Sequence, residues 1–245
     1  MTARFISSRR RGLRQRGASM VEFVIVFPIA TLFVLGLIQL GFLYMAKLTL
    51  NHATFMAARE GSLHHANAGK MREAMLRGLS PFYQDSTRTN DLQRLALAYG
   101  GPNGAVVQLG LQPWNLSMTT LNPSAETFRD FGLRDNVARV TYIPNDNLEW
   151  RNMGIVGGAS RQNIRDANLL KLHVVYGYEM KVPLIAGVLR RVMCSGTIGV
   201  AGWGNVGLLD AIQPASRQCL LYYNNGRVPI ESYAIVEMQS RAEKP

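Results

Sequence analysis

Glu22 is the residue with the most chemistry at its disposal. It is the one carboxylate at the head of a long apolar run, and no residue from Phe23 to Ala46 is charged. An acid on the lip of such a helix is costly, by about 2–3 kcal/mol if it sat deep in lipid. Its presence therefore implies a task, and the natural one is pairing with a cation. Gly17 stands five positions before it, and the small residue Ala18 follows that glycine. The preceding leader holds six arginines (Arg4, Arg9, Arg10, Arg11, Arg14, Arg16) and no acid.

The other groupings promise less. Gly202–Gly207 matches G-x-G-x-x-G, but Pro214 follows too soon for a long helix and Arg227 stands near the place of the required acid. A turn-rich loop is the expected reading, since a dinucleotide site needs a buried strand before the glycines and a helix after them. The four histidines show neither i, i+4 nor H-x-H spacing. His52 is expected in the core, His64 and His65 where a helix frays, and His173 on a polar strand face. No serine has a nucleophile-elbow context. Two cysteines, Cys194 and Cys219, cannot by themselves make a structural zinc site. No metal, no cofactor and no catalytic residue is expected, and the chain is read as not an enzyme.

The segment Arg14 to Pro28 reads Arg-Gln-Arg-Gly-Ala-Ser-Met-Val-Glu-Phe-Val-Ile-Val-Phe-Pro, followed later by Gln39-Leu40-Gly41 and Ala57-Ala58-Arg59-Glu60-Gly61. These residues resemble the TadE/TadF-type minor pilins (pseudopilins) of tight-adherence (Tad, Flp) pili, over roughly residues 14–61. The resemblance implies a class III leader, cut by a prepilin peptidase between Gly17 and Ala18 on the cytoplasmic side. It also implies an apolar helix kept for assembly. A mature chain starting at Ala18 rather than the phenylalanine usual in type IV pilins is ordinary for Tad-type minor pilins. The released amine of Ala18 would stand at i and Glu22 at i+4, about 6 Å apart along a helix. Glu22 could then pair with its own terminus or with that of a staggered neighbour, which would set register between helices. The alternative is a carboxylate that merely snorkels at the interface.

These residues need elements to hold them. The uncharged run is about 24 residues, enough to cross a ~30 Å hydrocarbon core. A twin-arginine signal is disfavoured by Gly12, and a conventional secretory signal would have a shorter apolar core. The arginine leader holds the N-terminus in the cytoplasm by the positive-inside rule, so the rest lies outside the inner membrane. In that oxidising compartment Cys194 and Cys219 are expected to form a disulfide, two buried thiols being the alternative. Net charge is +11 for the whole chain but +5 without the leader, too mild to indicate nucleic acid.

Helical spacing continues past the membrane. Leu48, His52, Phe55, Met56, Arg59 and Leu63 form a stripe expected to anchor a head, in one helix from Ala18 to about Ala66. Pro28 should kink it by removing a backbone hydrogen bond. Met71, Met75, Leu76 and Leu79 share a second helix face. Thr89-Asn90 caps a third helix, with Leu92, Leu95 and Tyr99 inward and Gly100-Gly101-Pro102 as its stop. Asn122-Pro123 opens a fourth that ends at Gly132, with Phe128 and Phe131 inward. Strands are expected at Ala105–Leu111, Val137–Ile143 and Ile230–Gln239. The clearest is Leu170–Val182, apolar or aromatic at every even position. Residues 144–168 read as a polar excursion.

The expected fold is α+β: a long N-terminal helix, membrane-spanning in its first half, packed on a head with an antiparallel sheet and short helices. The expected organisation is a cleaved cytoplasmic leader at 1–17, a transmembrane assembly helix at 18–46 and an extracytoplasmic head at 47–245. What the resemblance implies for function is a minor pilin needed for assembly of a Tad-type pilus, single-pass in the inner membrane with its head periplasmic. Its partners would be other pilins and minor pilins, the prepilin peptidase, inner-membrane platform proteins and the lipid bilayer, with no nucleic acid. A signal-anchored periplasmic binding module or enzyme, and a minor pseudopilin of a type II secretion system, are the competing readings.

Overall fold

The computed structural model describes residues 18–112, 115–194 and 221–244. Gly17, Gly202–Gly207 and Cys219 lie outside them. A single helix, α1 (Ala18–Leu63), runs for 46 residues with Pro28 inside it, about 69 Å at 1.5 Å per residue. The Thr31 hydroxyl donates to the Phe27 carbonyl one turn back, beside that proline. Helix α1 ends in a tight turn where the Ala66 amide donates to the Gly61 carbonyl at 2.9 Å. Asn67 then caps α2 (Ala68–Leu79), its side-chain oxygen accepting from the amides of Gly69 and Lys70, which satisfies donors the helix start leaves open.

The expected caps hold at α3 (Asp91–Gly100), where the Asn90 side chain accepts from the Gln93 amide. Its inward face differs: Ala98 is buried, whereas Leu92 and Leu95 are exposed. Ala105–Leu111, expected as a strand, is the helix α4 (Ala105–Leu111). Ala105 and Leu109, four apart, are both fully buried, so one apolar helix face overrides the β-preference of Val106 and Val107. Strand β1 (Leu116–Asn122) follows, and the capping box of Ser124 and Thr127 opens α5 (Ala125–Phe131), which Gly132 ends. Phe128 and Phe131 pack partly buried against the core.

Strands β2 (Leu133–Asp135) and β3 (Val140–Ile143) form a hairpin. Asp135 accepts from the amides of Val137 and Ala138, and Arg139 takes φ 57°, so the expected Val137–Ile143 strand begins three residues late. Helix α6 (Ile164–Ala167) leads into β4 (Leu169–Glu179), then α7 (Pro183–Cys194), β5 (Arg227–Glu237) and β6 (Ala242–Lys244).

Among the described residues two antiparallel three-stranded sheets result, with orders β1-β4-β5 and β2-β3-β6. In the larger one Leu172 pairs with Ala234 and with Thr120. Leu170, Leu172, Val174, Tyr176 and Tyr178 of β4 are all buried, as the period-2 pattern requires. The ring of Phe82 stacks on Tyr176 at 5.4 Å, and the Tyr83 and Tyr176 hydroxyls lie 3.1 Å apart. This is the expected α+β architecture.

Candidate assembly surface

Helix α1 has two halves with different surroundings. Each residue from Glu22 to Val34 is exposed, so nothing in the described head covers this stretch. Phe23 and Phe27, one turn apart, stack at 5.1 Å. Ala18 and Glu22 both lie in the helix, one turn apart, and the Glu22 side chain is open to the surroundings. Among the described residues, α1 is long and apolar enough to cross a membrane. A helix apolar all round and uncovered by its own protein needs lipid or other helices around it.

Burial begins at Leu35 and Gly36 and then recurs at Gln39, Leu43, Ala46, Leu50, Ala53, Ala57 and Gly61. The alternating steps of three and four keep one seam facing the head. The seam is built of small residues: Ala46, Ala53, Ala57 and Ala58 are each at most 1% exposed. The reason lies in how closely its neighbours approach. A Cβ on Gly78 of α2 would come within 2.7 Å of the Ala53 backbone, and one on Gly61 within 2.8 Å of the Leu170 side chain.

The expected anchoring stripe is therefore on the wrong side. Leu48, Phe55, Met56 and Leu63 are exposed, Phe55 by 52%, and His52 is exposed rather than a core histidine. The inward face is mostly alanine around the single large residue Leu50, because α2 comes too close to Ala53, at Gly78, for a larger side chain there. His64 and His65 fall beyond the helix end as expected. His64 meets Glu60 at 3.1 Å, and the His65 ring nitrogen Nδ1 lies 3.0 Å from the Arg241 carbonyl. His173 sits on the outer sheet face, stacked on Tyr233 at 4.4 Å.

Polar rungs fix α1 against the sheet at several heights. The Gln39 side-chain oxygen accepts from the Val182 amide at 3.0 Å. Lys47 donates through Nζ to the Glu231 carbonyl. The Ser232 hydroxyl donates to Asn51 at 2.9 Å. At the top, the Ser62 carbonyl accepts from the Ser240 amide and hydroxyl, both at 2.9 Å. Gln39 is 1% exposed although it stands in the uncharged run. Sequence reading left it without a role, yet a lone amide among apolar residues was the available signal.

Residues 17–59 match the model of a family described as TadE-like protein. That match lies along α1 as far as Arg59, and the one apolar helix there fits a membrane-anchored protein. No curated protein and no solved structure matches the chain.

Proposed function

We propose that this TadE-type chain is a minor pilin, or pseudopilin, required for assembly of a Tad-type pilus. It acts by helix packing and not by catalysis. The observation that carries the reading is the division of α1: an uncovered apolar half with Glu22 near its start, and a half fastened to the head by small residues and polar rungs. The second half also keeps an outward apolar stripe through Leu48, Phe55, Met56 and Leu63. A subunit built this way can leave the bilayer with its head attached and exchange lipid for neighbouring helices.

In this reading residues 1–17 are a cytoplasmic leader removed by a prepilin peptidase, 18–46 the transmembrane and assembly helix, and 47–245 the periplasmic head. The inner-membrane platform and other pilins are the partners. The freed amine of Ala18 and the Glu22 carboxylate, one turn apart or on staggered neighbours, supply the charge pair that sets depth and register.

Mass spectrometry of the N-terminus tests this in cells with an active prepilin peptidase. The mature chain should begin at Ala18, and Gly17→Ala should retain the precursor in the membrane. An intact Met1 end, or a cut after residue 46, would contradict the reading.

A further inference from the structure

We infer that α7 is a second membrane contact, an interfacial helix whose outer face sits in the lipid headgroup layer beside the point where α1 leaves the bilayer. This rests on α1 being the membrane span.

The first support is height. The stretch from Ala18 to Ile38 precedes the buried Gln39. It rises about 31 Å, close to the ~30 Å thickness of a hydrocarbon core. After partial cover at Leu35 and Gly36, Gln39 is the first buried residue beyond Glu22, and it accepts from the Val182 amide immediately before α7. Pro183 then opens α7. If α1 crosses with Ala18 near one surface, the start of α7 stands at the other. The head has no room to sit lower, since every residue from Glu22 to Val34 is uncovered.

The second support is the outer face of α7. Leu184 and Val188 are 61% and 47% exposed. Arg191, also exposed, follows at i+7 from Leu184 on the same strip. Two open apolar residues with a cation at the end of the strip fit an interface: the alkyl groups enter the acyl boundary and the guanidinium reaches phosphate. At 12 residues α7 is about 18 Å long, too short to cross the bilayer.

The third is continuity with α1. Tyr44, 65% exposed, lies little more than a turn beyond Gln39, where aromatic side chains favour the headgroup level. Glu179, four residues before Pro183, has its carboxylate 3.6 Å from the Lys181 ammonium, so this acid is offset by a cation beside it.

The test is photo-cross-linking of the full chain in phosphatidylethanolamine–phosphatidylglycerol vesicles. A benzophenone amino acid is placed singly at Phe33, Val188 or Trp150, the last an exposed residue at the end of a short 3-10 turn, Leu148–Trp150, of the head. Lipid adducts at positions 33 and 188, and none at 150, are the expected result. An adduct at 33 with none at 188 would overturn the inference and leave the membrane span standing. A protein–protein adduct at 188 would overturn it in favour of a second copy of the chain. No lipid adduct at 33 would overturn both the inference and the anchored reading beneath it.

Discussion

At the scale of single residues, Glu22 and Gln39 divide the polar work of an otherwise apolar helix. Gln39 is held inside the protein, its side-chain oxygen accepting from the Val182 amide while its buried Nε2 has no partner among the described residues. Glu22 is exposed, open to the amine of Ala18 one turn before it or to a group on a neighbouring helix. On the proposed pilin reading, in which the apolar run and Gly17 direct membrane insertion and leader cleavage, replacing Glu22 with alanine should leave both intact. It should nonetheless abolish or strongly reduce piliation, with Glu22→Gln intermediate. Surface pilus yield, read beside an immunoblot showing equal protein, checks this; wild-type piliation with the alanine variant would make the carboxylate incidental. Cys194 closes α7, and its expected bridge to Cys219 remains a proposal. Cys194→Ser should lower head stability by about 2–4 kcal/mol, and free thiols on both residues in non-reduced protein would refute the pairing.

At the scale of elements, the crossing of α1 and α2 is set by the absence of a side chain. Gly78→Ala would drive a methyl group to within 2.7 Å of the Ala53 Cα and Cβ. Neither is the end of a flexible chain, so the helices must part. The expected cost is about 1–3 kcal/mol, as for other overpacked cores. Gly110→Ala in α4 is the control: nothing lies within 4 Å of its added Cβ, and the helix gains propensity worth up to about 1 kcal/mol. Thermal melts of the two variants should move in opposite directions. A neutral Gly78→Ala would mean that the two helices are not in close contact in solution.

For the whole molecule, one apolar seam and several polar rungs join the head to α1, while carboxylates tie loops together within the head. Asp130 accepts from the Ser160 amide and hydroxyl, both at 2.7 Å, and from the Ala159 amide at 3.1 Å. Those bonds hold its pKa below the usual carboxylate value, the Ser160 amide first among them. Asp135 is lowered likewise, first by the Ala138 and Val137 amides and then by Arg241. A carboxylate with a depressed pKa when folded stabilises fully above its unfolded value, near 3.9. That contribution is lost as pH falls through the folded value. Stability of the detergent-solubilised protein should therefore be level from about pH 5 to 7 and fall below about pH 4. Asp130→Asn should flatten that acid limb. Denaturant titrations at a series of pH values measure it, and an unchanged slope in the variant would remove Asp130 from the account.

The sequence by itself determined what depends on local order and bulk polarity. The uncharged run made α1 legible, the alternation of Leu170 to Val182 made β4 legible, and Asn90 and Gly132 marked helix ends where they occur. The segment that matches the TadE-like family model was legible for the same reason, since its residues are contiguous. Tertiary structure alone decided which side of α1 faces inward. Leu48, Phe55 and Met56 and the alanines both recur at helical spacing, so periodicity could not choose between them. The choice fell to distance: β4 and α2 approach so closely that Gly61 has no room for a methyl group and Ala53 lies directly beneath Gly78. It likewise made Ala105–Leu111 a helix, because burying Ala105 and Leu109 on one face outweighed the strand preference of the valines. Gln39 acquired its partner only when β4 brought Val182, 143 residues away in the chain, to its side.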